Sequence, residues 1–283
     1  MKAGVLPQGI RSTALYAAAA RRVLVHSRSD GFARRFRSPE SRLVFVVGSP
    51  RSGTTFLAGA IGGLPGFVDL TEVTPLKARI PELVELPEDE AARSIRRILD
   101  RVRHLAFVYG LRGVEQTPEM AFLAGAALEG YPDGRVIHLL RDGRDVVCSL
   151  LERGWLNAKR TGTDDAGLAY GVAPRFWVEP ERREEFVAAS DATRAAWAWR
   201  SYVSAARREP AAVQIRYEQL VGDPDATATL LARELGADPA RMRWGLRTGH
   251  ATSVGRWRRD LTPEQLADVE REAGPLLTEL GYA

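Results

Sequence analysis

Two short stretches carry residues whose types and spacing suit the binding of a highly charged anion. The first is Gly48-Ser-Pro-Arg-Ser-Gly53-Thr54-Thr55. Its glycines are spaced as in the phosphate-cradling P-loop, G-x-x-x-x-G-K-[ST], but Thr54 stands where the lysine should be. Backbone N–H groups at the head of a following helix still make an anion cradle there, and Arg51 offers the missing positive charge. Loss of the lysine argues against magnesium-assisted transfer of a terminal phosphoryl group. The second stretch is Arg135-Val-Ile-His-Leu-Leu-Arg141-Asp-Gly-Arg144-Asp145, followed by Ser149 and Arg153. An ATPase would end such a strand in an acid that holds Mg²⁺. This strand reaches Arg141 first, so its tip attracts an anion. Ser149 and Arg153 share one helix face, and with Arg141 they could surround a second phosphate. Arg144 and Asp145 read as solvated charges at a helix start, and Cys148 as a buried apolar filler.

These groups need a scaffold that delivers strand ends to one edge. The apolar, β-branched run at 43–47, bounded by Gly48, reads as a buried strand. Residues 53–62 read as the helix after it, stopped by Gly62-Gly63-Leu64-Pro65-Gly66. Pro87 and the acids Glu88 to Glu90 open a surface helix expected to reach about residue 109. A short strand at 113–115, a helix after Pro118, a second buried strand at 135–140 and a helix at 145–153 follow. Residues 154–189 have weak periodicity and read as a long loop or lid. Beyond them, 190–208 reads as helix and 212–217 as strand, and Asp223-Pro224 opens another helix. Thr262-Pro263-Glu264-Gln265 has the form of a capping box with proline at the first helical position, so a last helix runs toward Leu280. Strands alternating with helices imply an α/β, P-loop-like three-layer fold with a central, mainly parallel sheet.

Composition narrows the classes. A chain of 283 residues with 45% hydrophobic and 27% charged residues is not wholly disordered. One cysteine and four scattered histidines argue against a disulfide scaffold and a structural zinc site. No apolar run approaches a membrane span or a signal-peptide core, so a soluble, cytoplasmic protein is expected. The net charge of +4 hides an asymmetry. The first 42 residues hold nine bases against two acids, which leaves the remainder at −3. Residues 1–40 therefore read as a basic helical segment with a break near Asp30-Gly31, ahead of a single α/β domain at 41–283. Such a segment suits an anionic membrane surface or acidic partner, or else lies as a solvated helix on the body. No base-reading motif accompanies it, so nucleic acid is not an expected partner. Only Lys2, Lys77 and Lys159 are lysines, so fixed positive charge in a site is expected to be guanidinium, suited to bidentate phosphate or sulfate.

In their order along the chain, from about residue 43 to 258, these segments resemble the sulfotransferases that use 3′-phosphoadenosine 5′-phosphosulfate (PAPS). Ser49-Pro50-Arg51-Ser52-Gly53-Thr54-Thr55 looks like the family's 5′-phosphosulfate loop, and arginine in that loop is similar to the bacterial and tyrosylprotein branches. Arg141 and Ser149 have the separation of the family's 3′-phosphate pair, and Arg153 matches a further basic contact of the tyrosylprotein branch. Tyr217-Glu-Gln-Leu220 resembles a segment whose tyrosine lies near the nucleotide. Ser253-Val-Gly-Arg256-Trp257 resembles the late loop that closes over the 3′-phosphate. The resemblance implies sulfuryl transfer from PAPS to a hydroxyl acceptor, releasing adenosine 3′,5′-bisphosphate (PAP), with no metal. Small-molecule, sugar, lipid and peptide hydroxyls all remain open as acceptor.

Sulfuryl transfer needs a group that takes the acceptor's proton. Glu72, 21 residues after Arg51, resembles the glutamate base of the tyrosylprotein and Golgi-type branches. Asp69 is its nearest rival, and His250 beside the late loop is a further candidate. His104 and His138 read as structural, and Trp197 and Trp199 as helix packing. The chain departs from the family at Val114-Glu-Gln-Thr-Pro118, where many members have a lysine and Gln116 stands here. Arg51 is then expected to carry that electrostatic load and to act in catalysis as well as binding. Two other readings stay open: a non-catalytic PAP-binding or nucleotide-binding module, and a small-molecule P-loop kinase.

Overall fold

Leu43-Val-Phe-Val-Val47 is apolar on both faces because both faces are covered. Leu43, Phe45 and Val47 enter one core, while Val44 and Val46 enter another on the opposite side. The alternation is the two-residue period of a strand buried in the middle of a sheet. The computed structural model describes residues 8–27, 38–157, 180–247 and 251–282, together with 159–164, 166, 167, 169, 178 and 249. Within them, β1 (Val44–Val47), β2 (Phe67–Thr71), β3 (Arg112–Glu115), β4 (Arg135–Leu140) and β5 (Val213–Arg216) form a parallel sheet in the order β2-β3-β1-β4-β5. One face is covered by α1 (Gln8–His26), α3 (Thr74–Lys77), α4 (Glu88–Leu105) and α5 (Ala124–Gly130). The other carries α2 (Thr54–Gly62), α8 (Tyr217–Gly222), α9 (Pro224–Leu235) and α10 (Pro239–Leu246). Beyond β4, α6 (Gly143–Arg153), α7 (Asp191–Ala206) and α11 (Pro263–Glu279) build a further apolar cluster around Trp197 and Trp199.

The α/β class, the three layers and the parallel sheet are as the sequence implied. The capping box is present: Thr262 and Gln265 bond each other's backbone N–H at the head of α11. Five details differ. Strand β2 was not foreseen, because Phe67-Val-Asp-Leu-Thr71 is short and interrupted by Asp69 at the sheet edge. Helix α4 ends at Leu105 rather than near 109, since Phe107 takes a left-handed φ of 56°. The helix expected after Pro118 is present, but its first part, Pro118–Leu123, is 3₁₀ and turns α-helical only at α5. Helix α6 starts two residues early because the Asp142 carboxylate accepts the Arg144 N–H at 2.9 Å. Part of the expected loop, Arg183–Ala188, is helical. The break at Asp30-Gly31, His250 and residues 170–177 lie outside the described residues.

No described helix is long and apolar enough to cross a membrane. Helix α1 lies against α3, α4 and β2 through Ala19, Ala20 and Val23, all buried. Arg11 and Arg21 face solvent, and the Arg101 guanidinium of α4 covers the Tyr16 ring at 4.4 Å. Val23→Asp, which buries an unpaired carboxylate on that face, is expected to lower unfolding free energy by about 3–5 kcal/mol in urea melts. A loss below about 0.5 kcal/mol would mean that α1 contributes nothing to the core.

Candidate functional site

The strand order reverses beside β1: the chain goes from β1 to the edge strand β2, returns inward to β3, then crosses to β4 and β5 on the other side. In open parallel sheets the crevice at the carboxyl ends beside such a reversal is where ligands bind. The loop after β1 opens there. Gly53 has a left-handed φ of 99°, and a Cβ on it would come within 2.8 Å of the Tyr217 ring, so only glycine lets the loop reach α2 beside β5. No side chain caps α2, which leaves its first-turn N–H groups facing the loop. Arg51 is held at φ 75°, a conformation that costs a non-glycine residue about 1–3 kcal/mol. The Ser52 hydroxyl is buried with no hydrogen-bond partner among the described residues.

Three guanidinium groups gather beside this loop. Arg51 Nε donates to Ser149 Oγ at 3.0 Å. Burial, then the charges of Arg153 and Arg141, push the Arg51 guanidinium below its ordinary value. Arg141, at the tip of β4, donates to the carbonyls of Arg51 (3.2 Å) and Ser253 (2.7 Å) and lies 4.5 Å from the centre of the Tyr217 ring. Its Nε is buried and bonds none of the described residues. Trp199 donates to the Arg141 carbonyl at 3.0 Å, which ties the strand tip to α7. Tyr217 and Ser253 meet through their hydroxyls at 3.3 Å.

Arg144 and Asp145 are not the solvated charges that the sequence suggested. Both are buried. The Asp145 carboxylate accepts the N–H groups of Gly255 (2.7 Å) and Trp257 (3.1 Å) and so anchors the late loop to α6. Arg144 is paired with Asp142 at 2.8 Å and stacks 4.1 Å from the Trp257 ring centre. Arg256 is turned onto Glu152 and Asp260. Cys148 is buried, as expected, and burial pushes its thiol up to about 12.

On the other side of the loop lies a cavity of about 310 Å³, bordered by Arg51, Thr54, Thr55, Glu72, Trp155 and Tyr202. Glu72 follows Thr71, a second residue at positive φ (58°). Asp69 does not border this cavity; its carboxylate accepts the Thr71 N–H at 2.8 Å. A separate cleft of about 950 Å³ between α2 and α10 carries Phe56 and Trp244, and Thr55 borders both spaces.

A family model described as the sulfotransferase family matches residues 89–240, more than half of the chain. The chain belongs to the sulfotransferase family. Of the readings that the sequence left open, sulfuryl transfer is therefore the one that holds. The fold is similar to the sulfotransferase domain of the Synechococcus PCC 7002 olefin synthase, at 16% identity over 88% of this chain and 96% of that one, with a TM-score of 0.50. It is also similar to the sulfotransferase domain of the curacin biosynthetic pathway, at 16% identity over 84% and 98%, with a TM-score of 0.52. No curated protein matches the sequence.

In this sulfotransferase, sequence reasoning brought the loop, Arg141, Ser149, Arg153, Tyr217 and Ser253 to one region and Glu72 to the cavity beside it. It missed Lys77, Glu119 and Asp164, which also border that cavity. Lys77 lies five residues after Glu72, on a short helix with no motif to mark it. Gln116, the departure from the family lysine, is buried. His138 is buried too, and burial pushes it down to about 4, so it stays neutral. His104 is exposed on α4.

Glu115 ends β3 behind Glu72. Its carboxylate accepts the N–H groups of Thr117 (3.0 Å) and Val73 (3.5 Å) and the Thr117 hydroxyl. Burial outweighs these bonds and pushes the carboxyl up to about 7. A value raised in the folded state favours the fold most below the ordinary glutamate value, and that contribution fades as pH rises through about 7. Between about pH 4.5 and 7 the native sulfotransferase should therefore lose about 3 kcal/mol relative to Glu115→Gln, read from urea midpoints. Parallel pH curves for the two proteins would show that no such titration occurs.

Proposed function

We propose that this sulfotransferase takes PAPS as donor and passes its sulfuryl group to a hydroxyl acceptor, with Glu72 as general base. The observation that carries the donor assignment is the approach of Arg141 and Arg153 to the half-buried Arg51, which itself bonds Ser149. Like charges gathered at partly buried positions are stable only beside an anion of matching charge, and PAPS carries two phosphates and a sulfate. The unpartnered Ser52 hydroxyl and Arg141 Nε, with the uncapped head of α2, fit a ligand rich in acceptor oxygens. The cleft with Phe56 and Trp244 suits a purine, since aromatic faces stack on aromatic bases, and it adjoins the loop at Thr55.

In this reading Pro50 to Thr55 hold the 5′ end. Arg141, Ser149 and Arg153 hold the 3′-phosphate, with Tyr217, Ser253 and Arg256 around the nucleotide. When bound, PAPS supplies an activated sulfuryl group. The acceptor oxygen bonds sulfur, the S–O bond to the 5′-phosphate breaks, and its electron pair leaves with PAP. Arg51 offsets the charge that grows on that oxygen. Glu72 accepts the proton that the acceptor hydroxyl loses.

Arg141→Ala is expected to weaken PAP binding about tenfold to a hundredfold in calorimetry, as a lost charge-assisted bond would, while AMP changes little. Equal losses for both nucleotides would overturn the 3′-phosphate assignment. Glu72→Gln should lower kcat by about 10²–10⁴-fold at unchanged PAP affinity, and Asp69→Asn should do far less. The reverse pattern would transfer the base to Asp69.

A further inference from the structure

The acceptor side of the cavity holds a charge cluster that the proposed transfer leaves unused. Lys77 Nζ lies 2.6 Å from Glu72 Oε2 and 3.4 Å from Asp164 Oδ2, and its side chain is 8% exposed. Glu119, from the 3₁₀ segment after β3, borders the same cavity. Burial works against the Lys77 ammonium, but Glu119, Glu72 and Asp164 outweigh it and hold Lys77 charged. Arg51 is turned to Ser149, on the donor side, so Lys77 is the cation in contact with the Glu72 carboxylate.

We infer that Lys77 is the positioning residue for the acceptor base: its bond to Oε2 fixes the Glu72 carboxylate toward the cavity, and its charge answers those of the neighbouring acids. This inference rests on Glu72 being the base. Two constraints meet at Glu72. Its backbone is set by the left-handed Thr71 before it and by Arg22 of α1, which donates to the Glu72 carbonyl at 3.4 Å. Its carboxylate has three acidic neighbours, Glu115 behind it, Glu119 and Asp164, which leave it in need of a positive partner. A general base must be both within reach of the hydroxyl and unprotonated. The Lys77 ammonium secures the reach, because its short bond to Oε2 holds the carboxylate in place and leaves Oε1 to accept the acceptor's proton. When that proton arrives, the pair carries one positive charge beside the departing, negatively charged nucleotide. The role differs from that of a lysine on the sulfuryl oxygens, which Gln116 cannot fill, because Lys77 acts through Glu72.

The test measures kcat and KM against pH, with PAPS and an acceptor identified by screening. Lys77→Met leaves four acids facing one another, so a proton binds there more readily. The acidic limb of the kcat profile should move up by about one pH unit or more, and kcat at neutral pH should fall ten- to a hundredfold. The KM for PAPS should stay within about twofold, and Lys77→Arg should restore most of the rate and the limb. Should Lys77→Met fold poorly, the double variant Lys77→Met/Asp164→Asn relieves the repulsion and is still expected to carry the displaced limb. Glu72→Gln inactive while both Lys77 variants keep the native limb and rate would overturn the inference and leave the base assignment standing. A Glu72→Gln protein that turns over normally would remove the base assignment, and the inference with it. A Lys77→Arg protein as impaired as Lys77→Met, with an unmoved limb, would reduce Lys77 to packing.

Discussion

Four segments distant in sequence meet at Arg141, three of them at its guanidinium. It donates to the carbonyl of Arg51 in the loop after β1 and to that of Ser253 in the late loop, and it lies flat against Tyr217 at the end of β5. Its own carbonyl is held by Trp199 from α7. A guanidinium can do this because it is planar, always charged and offers several donors in fixed directions. A lysine in its place would offer a single compact ammonium without the planar face that lies over Tyr217 or the fixed fork that reaches two carbonyls. The donor side of the site thus takes its shape from one residue, while Asp145 performs the complementary task with a carboxylate that accepts two loop N–H groups.

The acceptor side is organised on a different plan. There the frame is backbone strain, with Arg51, which borders the cavity, and Thr71, which precedes Glu72, both at positive φ. Strain of this kind persists only where the surroundings overdetermine the conformation. Around Thr71 the Asp69 carboxylate and Arg22 of α1 supply the constraint. The basic leader therefore touches the site's architecture, and its buried Ala19 and Val23 matter as much as its charge.

The core of the fold was legible in the sequence because buried parallel strands write themselves as short apolar runs, as at 43–47 and 135–140. The anion loop was legible because its glycines answer to steric need: Gly53 has no room for a Cβ beside Tyr217. What stayed hidden depends on tertiary neighbours. Asp145 reads as an ordinary first-turn acid until the chain returns, more than a hundred residues later, with Gly255 and Trp257. Lys77 is one lysine on a four-residue helix, and its meaning comes from Glu72, Glu119 and Asp164 converging on it. Strand β2 is too short and too polar to announce itself, and it exists because β3 lies beside it.

The position of β1 in the sheet bears on how the chain is made. Val44 pairs with Val114 on one side and with Arg135 on the other, and neither partner is nearby in sequence. As the polypeptide leaves the ribosome, its most apolar strand has one edge bare until β3 has emerged and the other until β4 has. Contacts of such long range fold slowly and expose sticky surface meanwhile. The anion loop cannot take its final shape until still later, when Tyr217 arrives to press on Gly53. Binding competence thus waits on a segment made more than 150 residues after the loop itself.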